Sequence, residues 1–249
     1  MQGSGAAALA ATDAVGRPLL VYRDEATGER IELSAAELAD GVARTASLLR
    51  DGCGLTAGDR IAVLLPPHWQ TAAVVLGAWS IGVAVSYRSW ATAGLDDRGG
   101  TEPLDAVFAA RDRVGSWLET VPEARHRYVL GLGARDAALA EVPDGYLDYA
   151  AEVGRFAAHT PAYRSIAGTD PATPDGTTFQ EWARLAGGIA HWLELRPGDR
   201  LLVDTARHAD PVSWLLAPLA ARATPVIVAN LGPDAVDRIV AAEGVTRVP

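Results

Sequence analysis

The sequence predicts an α/β fold: two related Rossmann-like βα halves with mostly parallel sheets covered by helices. Three observations carry this reading. Leu55-Thr-Ala-Gly58-Asp59-Arg60-Ile61-Ala-Val63 returns later in the chain as Leu195-Arg-Pro-Gly198-Asp199-Arg200-Leu201-Leu-Val203, an internal repeat. Upstream, Ser34-Ala-Ala-Glu37-Leu38-Ala39 returns as Thr178-Phe-Gln-Glu181-Trp182-Ala183, at a spacing longer than the first by about one helical turn. Each copy orders its hydrophobic segments as helix, strand, helix, strand, and that alternation lays helices over parallel strands.

Residues 1–16 show no periodicity and read as a flexible tail; without a basic start they do not form a signal peptide. Pro18–Tyr22 and Glu29–Leu33, with Gly28 between them, predict an opening hairpin. Ser34 and Thr178 predict N-caps, with Glu37 and Glu181 reaching back to the cap amide in two capping boxes. The helices that follow set Leu38, Val42, Ala46 and Leu49 on one face in the first copy, and Trp182, Leu185, Ile189 and Trp192 in the second. Gly58-Asp59 and Gly198-Asp199 turn the chain into short strands, where the Asp and Arg side chains are turn structure rather than chemistry. Loops containing His68 and His208 lead into apolar helices at Thr71–Ile81 and Pro211–Ala221, then into strands at Val83–Ser86 and Pro225–Val228. Between the copies, Leu104–Phe108 and Tyr128–Leu130 predict strands, and helices are expected near Arg113–Thr120 and at Ala137–Glu141. Arg155–Asp175, rich in Thr, Pro, Gly and Ser, is the expected connection. Asp234–Ala242 predicts a helix and Val245–Val248 the start of a strand, so the first half spans 17–160 and the second 161–249.

The 249 residues are 49% hydrophobic, enough to bury a core without disulfides or metal. All 22 basic residues are arginine, against 31 Asp and Glu, for a net charge of −9. A chain without a basic cluster lacks the charge that a phosphate backbone or an anionic membrane requires, which argues against nucleic acid and membrane as partners. Cys53 stands alone, excluding an internal disulfide and a cysteine zinc cage, in keeping with a cytoplasmic location. The longest apolar runs, 72–85 and 212–229, are broken by Ser80 and Gly82 and by Pro218, Arg222 and Pro225, and fall short of the ~20 apolar residues of a membrane helix. The lack of lysine, the wealth of alanine and the single asparagine, Asn230, point to the codon bias of a GC-rich bacterial genome.

Pro18 and Tyr22, Ser34-x-x-Glu37-Leu38-Ala39, Gly58-Asp59-Arg60-Ile61-Ala62-Val63-Leu64-Leu65-Pro66 and Gly82-Val83-Ala84-Val85 stand in an order that resembles the opening of the AMP-binding, adenylate-forming enzymes, acyl-CoA synthetases among them. Gly198–Val203, His208, Trp214–Leu219, Pro233–Val236 and Val245-Thr246 are similar to the next segment of that family, so the resemblance covers most of residues 18–248. In length and composition the chain is also similar to short actinobacterial relatives of this N-terminal region. The resemblance implies a phosphate loop of pattern T-S-G-T-T-G-x-P-K-G, whose glycines admit the phosphate to the backbone and whose lysine adds charge. This chain has Thr173-Pro174-Asp175-Gly176-Thr177-Thr178-Phe179-Gln180-Glu181-Trp182 at that place, of which Gly176, Thr177 and Thr178 match. Trp182 takes the lysine position, Ala183 the next glycine, and Glu181 brings a negative charge. The catalytic lysine, the Y-G-x-T-E motif and the ribose-binding aspartate of the family have no counterpart up to Pro249. The resemblance thus implies a non-catalytic relative, with no catalytic residue, metal or cofactor to assign.

Gly131-Leu-Gly133 after Tyr128-Val-Leu130 has the outline of a dinucleotide fingerprint, but Asp136 replaces the third glycine and repels phosphate. His68, His126, His159, His191 and His208 show no metal-ligand spacing. Ser86, Ser165 and Ser213 lie outside any nucleophile elbow. His68 and His208 both follow a parallel strand's carboxyl end, the edge where open α/β sheets take ligands. The resemblance also sets His208 at the histidine of the family's L-P-L-F-H segment. With Trp214 as an apolar wall, these residues form the candidate small-molecule site. The plainer reading, loop or cap histidines and a core tryptophan, stands beside it. Three classes of function follow: a scaffold acting through a protein partner or as a homodimer that covers an edge at Val245–Val248, a binder of an acyl or nucleotide-like ligand, and an enzyme of unrecognised chemistry. Lost phosphate chemistry beside intact folding signals favours the first.

Overall fold

The computed structural model describes residues 17–88, 104–116, 120–133, 137–158 and 166–249. The tail expected at 1–16, Asp136, His159, Ser165 and part of the helix expected near Arg113–Thr120 lie outside these residues. The chain forms two compact units, each assembled from separate stretches of sequence: Met1–Ala39, Pro67–Ala72 and Gln180–Pro249 in one, Asp40–Pro66 and Ala73–Phe179 in the other.

In the first unit, β1 (Leu20–Asp24) and β2 (Arg30–Leu33) form the expected hairpin, antiparallel with Leu20 opposite Leu33. The hairpin joins β9 (Thr224–Ala229) and β8 (Arg200–Asp204) in the order β2-β1-β9-β8, with β1, β9 and β8 mutually parallel. Val21, Leu202, Val226 and Val228 make one core face with Ile239, which comes from the helix Val236–Glu243. That helix confirms the one expected at Asp234–Ala242. The strand expected at Val245–Val248 is instead a single bridge, Arg247 beside Leu201; Leu202 N–H donates to the Arg247 carbonyl at 2.9 Å and occupies the edge of β8 there.

The second unit holds a five-stranded, wholly parallel sheet, ordered β4 (Ala84–Tyr87), β3 (Arg60–Leu64), β5 (Leu104–Ala110), β6 (Ala124–Leu130) and β7 (Leu147–Asp148). Successive residues of its central strands serve two cores: Ile61, Val63, Ala106 and Phe108 on one face, Ala62, Leu64, Val107 and Ala109 on the other. A sheet buried on both faces reads as continuous apolar sequence rather than alternation, which is how these strands appear.

The repeat is physical. The first copy runs α1 (Ala35–Ser47, continued by a π-turn at Leu48–Gly52), β3, α2 (Trp69–Ser80), β4. The second runs α4 (Phe179–Trp192), β8, a π-turn at Val212–Leu216 with α5 (Ala217–Ala221), β9; the intervening α3 is Tyr149–Val153. Bonds recur at matching positions of the two copies. Thr56 and Arg196 amides donate to Asp59 and Asp199 carboxylates, both at 2.7 Å. Gly58 and Gly198 amides donate to the carbonyls of Gly82 and Arg222, both at 2.9 Å, and Ala84 and Thr224 amides donate to those of Asp59 and Asp199, both at 2.8 Å. The aspartates are turn structure, as expected.

Two helices foreseen between the copies differ. Arg111–Gly115 forms turns, and Ala137–Glu141 is not helical. Leu139 N–H instead donates to the Asp148 carboxylate at 2.7 Å, a bond outside any helix. In α1 the expected face, Leu38, Val42, Ala46 and Leu49, is buried. In α4 it is so only in part: Trp182 and Ile189 are partly buried, but Leu185 and Trp192 are exposed, and the fully buried residues are Ala186 and Ala190. Two stripes of different side-chain size lie on that helix, and hydropathy ranks the larger one first whether or not a surface is there to receive it.

Candidate functional site

The stretch at the phosphate-loop position is closed on itself. Pro171 and Thr178 pair as an antiparallel bridge, and the chain reverses at Gly176, whose φ of +89° suits glycine. Within the turn, Ala172 N–H donates to the Thr177 carbonyl at 2.8 Å and Gly176 N–H to the Thr173 carbonyl at 3.0 Å. The Asp175 carboxylate accepts from the Thr173 hydroxyl at 2.5 Å and from the Thr177 amide at 3.0 Å. Those two bonds, the hydroxyl first, hold its pKa below the usual aspartate value. Backbone N–H groups of this turn already serve acceptors of the chain itself, the Thr177 amide a carboxylate and the Ala172 and Gly176 amides carbonyls. Thr178 stands immediately before α4, so Phe179 through Trp182 are helical. The turn is anchored at Ala172, whose carbonyl accepts from the Trp79 indole at 2.8 Å and the Val85 amide at 2.9 Å. Asp175 had no role in the sequence reading, although Pro174-Asp175-Gly176 is itself a turn signature.

His68 directly precedes α2 and is buried at 1% exposure. Its Nδ1 accepts from the Gln70 amide at 3.2 Å, the bond of an N-cap. Its ring meets Tyr22 edge-on at 4.3 Å and Trp69 at 5.5 Å. Burial lowers its pKa to about 3, against a smaller opposing pull from Asp24, so the imidazole is neutral and carries its proton on Nε2. Nε2 has no hydrogen-bond partner. His208 lies four residues past β8, half-buried; its amide donates to the Asp204 carbonyl at 2.9 Å and its Nδ1 is buried without a partner. The cap of the following π-turn is Asp210, whose carboxylate accepts from the Val212 amide at 2.8 Å. The two histidines thus match in sequence and differ in work: His68 caps, and Asp210 does so in the second copy. Trp214 is wholly buried with its indole N–H unpartnered. All three belong to the first unit.

Cys53 is buried, its thiol 3.1 Å from the Tyr128 hydroxyl, and burial pushes its pKa up, away from the reactive thiolate. Among the described residues no group of three or more His, Cys, Asp and Glu side chains is placed to hold a metal ion.

Residues 8–93 match the family model of the AMP-binding enzymes. A TIGR03089 family protein of Mycobacterium tuberculosis (strain ATCC 25618 / H37Rv) is 38% identical over 242 residues, covering 95% of this chain and 92% of that protein. The chain belongs to the TIGR03089 family. Among solved structures, this TIGR03089 family member is similar to an acyl-CoA synthetase of Brucella canis, with a TM-score of 0.72 at 22% identity over 99% of this chain and 47% of that one. It is also similar to the acetoacetyl-CoA synthetase of Streptomyces lividans, with a TM-score of 0.71 at 21% identity over 98% of this chain and 41% of that one. At such identities the likeness is one of fold, and the family member spans less than half the length of either synthetase.

Proposed function

We propose that this TIGR03089 family member does not adenylate carboxylic acids and acts by binding, with another protein as its first class of partner. The observation that supports this is the turn at Thr173–Thr178, where the Asp175 carboxylate occupies the Thr177 amide and the Thr173 hydroxyl. A triphosphate there would meet a fixed negative charge, and the chain has no lysine to offset it. The net charge of −9 directs the reading toward neutral or cationic partner surfaces rather than nucleic acid, and the cytoplasm is the compartment that goes with it. No helix of the described residues is long and apolar enough to cross a membrane. The test is ATP–pyrophosphate exchange by the purified chain over a panel of short- to long-chain carboxylic acids. No exchange above the protein-free blank is expected; exchange that disappears when a residue of this chain is altered would refute the reading.

A second reading, an acyl or nucleotide-like ligand near His68, His208 and Trp214, draws support from three buried polar atoms without partners: His68 Nε2, His208 Nδ1 and Trp214 Nε1. Buried polar groups are rarely left so, and a ligand that pairs with them removes that cost. Thermal shifts with ATP, AMP, acyl-CoA and free fatty acids test it, since a ligand at 100 times its Kd adds about 2.7 kcal/mol. His208→Ala and Trp214→Phe should weaken whichever ligand shifts the melting point. Unchanged affinity in both removes the site.

A further inference from the structure

Ala186 and Ala190 form the buried side of α4, and a different stripe runs along its surface. Glu181, Leu185, Gly188 and Trp192 recur at spacings of four, three and four residues, the seam of a helix pair. Leu185 is 54% and Trp192 77% exposed. A side chain built on Gly188 or on the adjacent Gly187 would meet nothing within 4 Å, so the two large apolar groups flank a hollow. A leucine and a tryptophan left in water one above the other form a patch rather than scattered surface residues.

We propose that this stripe is a homodimer interface in which α4 packs antiparallel against α4 of a second copy, about a two-fold axis beside Gly188. In that register Leu185 of each copy meets Trp192 of the other, and the missing side chains at Gly188 let the helices approach on the axis. Charge selects the direction. The exposed Glu181 lies at one end of the stripe and the exposed Arg196 just beyond the other, so the antiparallel register sets each carboxylate against a guanidinium. A parallel register would set Glu181 against Glu181. Antiparallel helices also oppose their dipoles favourably, and a stripe that complements itself is what a two-fold interface requires. The proposal does not rest on the binding function above, since a chain that activated carboxylates would carry the same surface. A helix of 14 residues, about 21 Å long, gives an interface below the standard size, so association belongs in the micromolar range.

Sedimentation velocity on the full chain from about 1 to about 200 μM tests this. The mass should rise from 26.1 kDa toward twice that value. Trp192→Glu and Leu185→Glu should hold it at one chain, with an unchanged melting point because both side chains are exposed. Arg196→Glu should weaken the dimer several-fold, and adding Glu181→Arg to it should recover most of the loss. A single-chain mass at every concentration would overturn the proposal. So would a dimer indifferent to Trp192→Glu, or a double variant no tighter than Arg196→Glu alone.

Discussion

Arg222 and Gly82 hold the same place in the two copies of the repeat, at the helix end that precedes a strand. Both are left-handed, with φ of +56° and +77°. Glycine adopts that conformation without strain, whereas a side chain there crowds the backbone at a cost of about 1 kcal/mol. Arg222→Gly should therefore stabilise the protein by about 1 kcal/mol and raise the melting point by about 2–4 °C. Gly82→Ala should do the reverse and more, because its Cβ would stand 2.9 Å from the Ala57 Cβ. Urea titration of both variants checks the pair. Gly82 was legible as a break in an apolar run, while nothing in the sequence around Arg222 shows that it is left-handed.

At the scale of elements, one side chain of the helix Val236–Glu243 ties it to three strands of its sheet. Glu243, whose side chain is 1% exposed, accepts from Arg30 Nε at 2.8 Å, Arg23 Nη1 at 3.0 Å and Arg200 Nη2 at 3.3 Å, and so joins β2, β1 and β8. The Arg30 bond, followed by that of Arg23, lowers its pKa to about 2 against the desolvation that opposes it. Glu243→Gln would leave three guanidinium groups around a neutral amide, and since those groups are partly exposed the loss should be about 2–3 kcal/mol in urea unfolding. A loss under about 0.5 kcal/mol would show that solvent screens the cluster. Ser34 shows the opposite case for legibility. Its capping box with Glu37 was readable from four residues, and both bonds are present, Ser34 N–H to the Glu37 carboxylate at 2.8 Å and Glu37 N–H to the Ser34 hydroxyl at 3.2 Å. The cluster around Glu243 was not readable, because Arg23 and Arg30 stand near the opposite end of the chain.

For the whole molecule these two groups shape the response to acid. His68 has a folded pKa of about 3, below its unfolded value of 6.5, so the unfolded chain binds the extra proton and stability falls as pH drops below 6.5. Glu243, lowered to about 2 from 4.5, contributes stability that is complete above pH 4.5 and lost as pH falls through 2. Each group sets a slope of up to about 1.4 kcal/mol per pH unit within its window. The unfolding free energy should therefore decline in two stages. His68→Asn, which keeps an N-cap acceptor, should flatten the first stage, and the gap between the native chain and Glu243→Gln should hold down to pH 4.5 and close toward pH 2. A profile in which His68→Asn keeps the slope between pH 6.5 and 4.5 would contradict the assignment.

The sequence alone determined the repeat, the order of helices and strands within it, the capping box at Ser34 and the relation to the adenylate-forming enzymes. Each of these is written in residues close together along the chain, and the turn at Asp59 recurs at Asp199 because its bonds span three residues. Tertiary structure decided what depends on neighbours far away. The hairpin Leu20–Leu33 pairs with β9, from the far end of the sequence, and α4 buries its alanines rather than Leu185 and Trp192. Tertiary structure also decided that His68 is buried and caps a helix, since the neighbours that enclose it decide whether a loop residue meets water. That Thr173–Trp182 departs from the family's phosphate-loop pattern was legible by substitution. The closure of the turn by Asp175 was not, because choosing between an aspartate that awaits a ligand and one that serves its own backbone takes the folded turn.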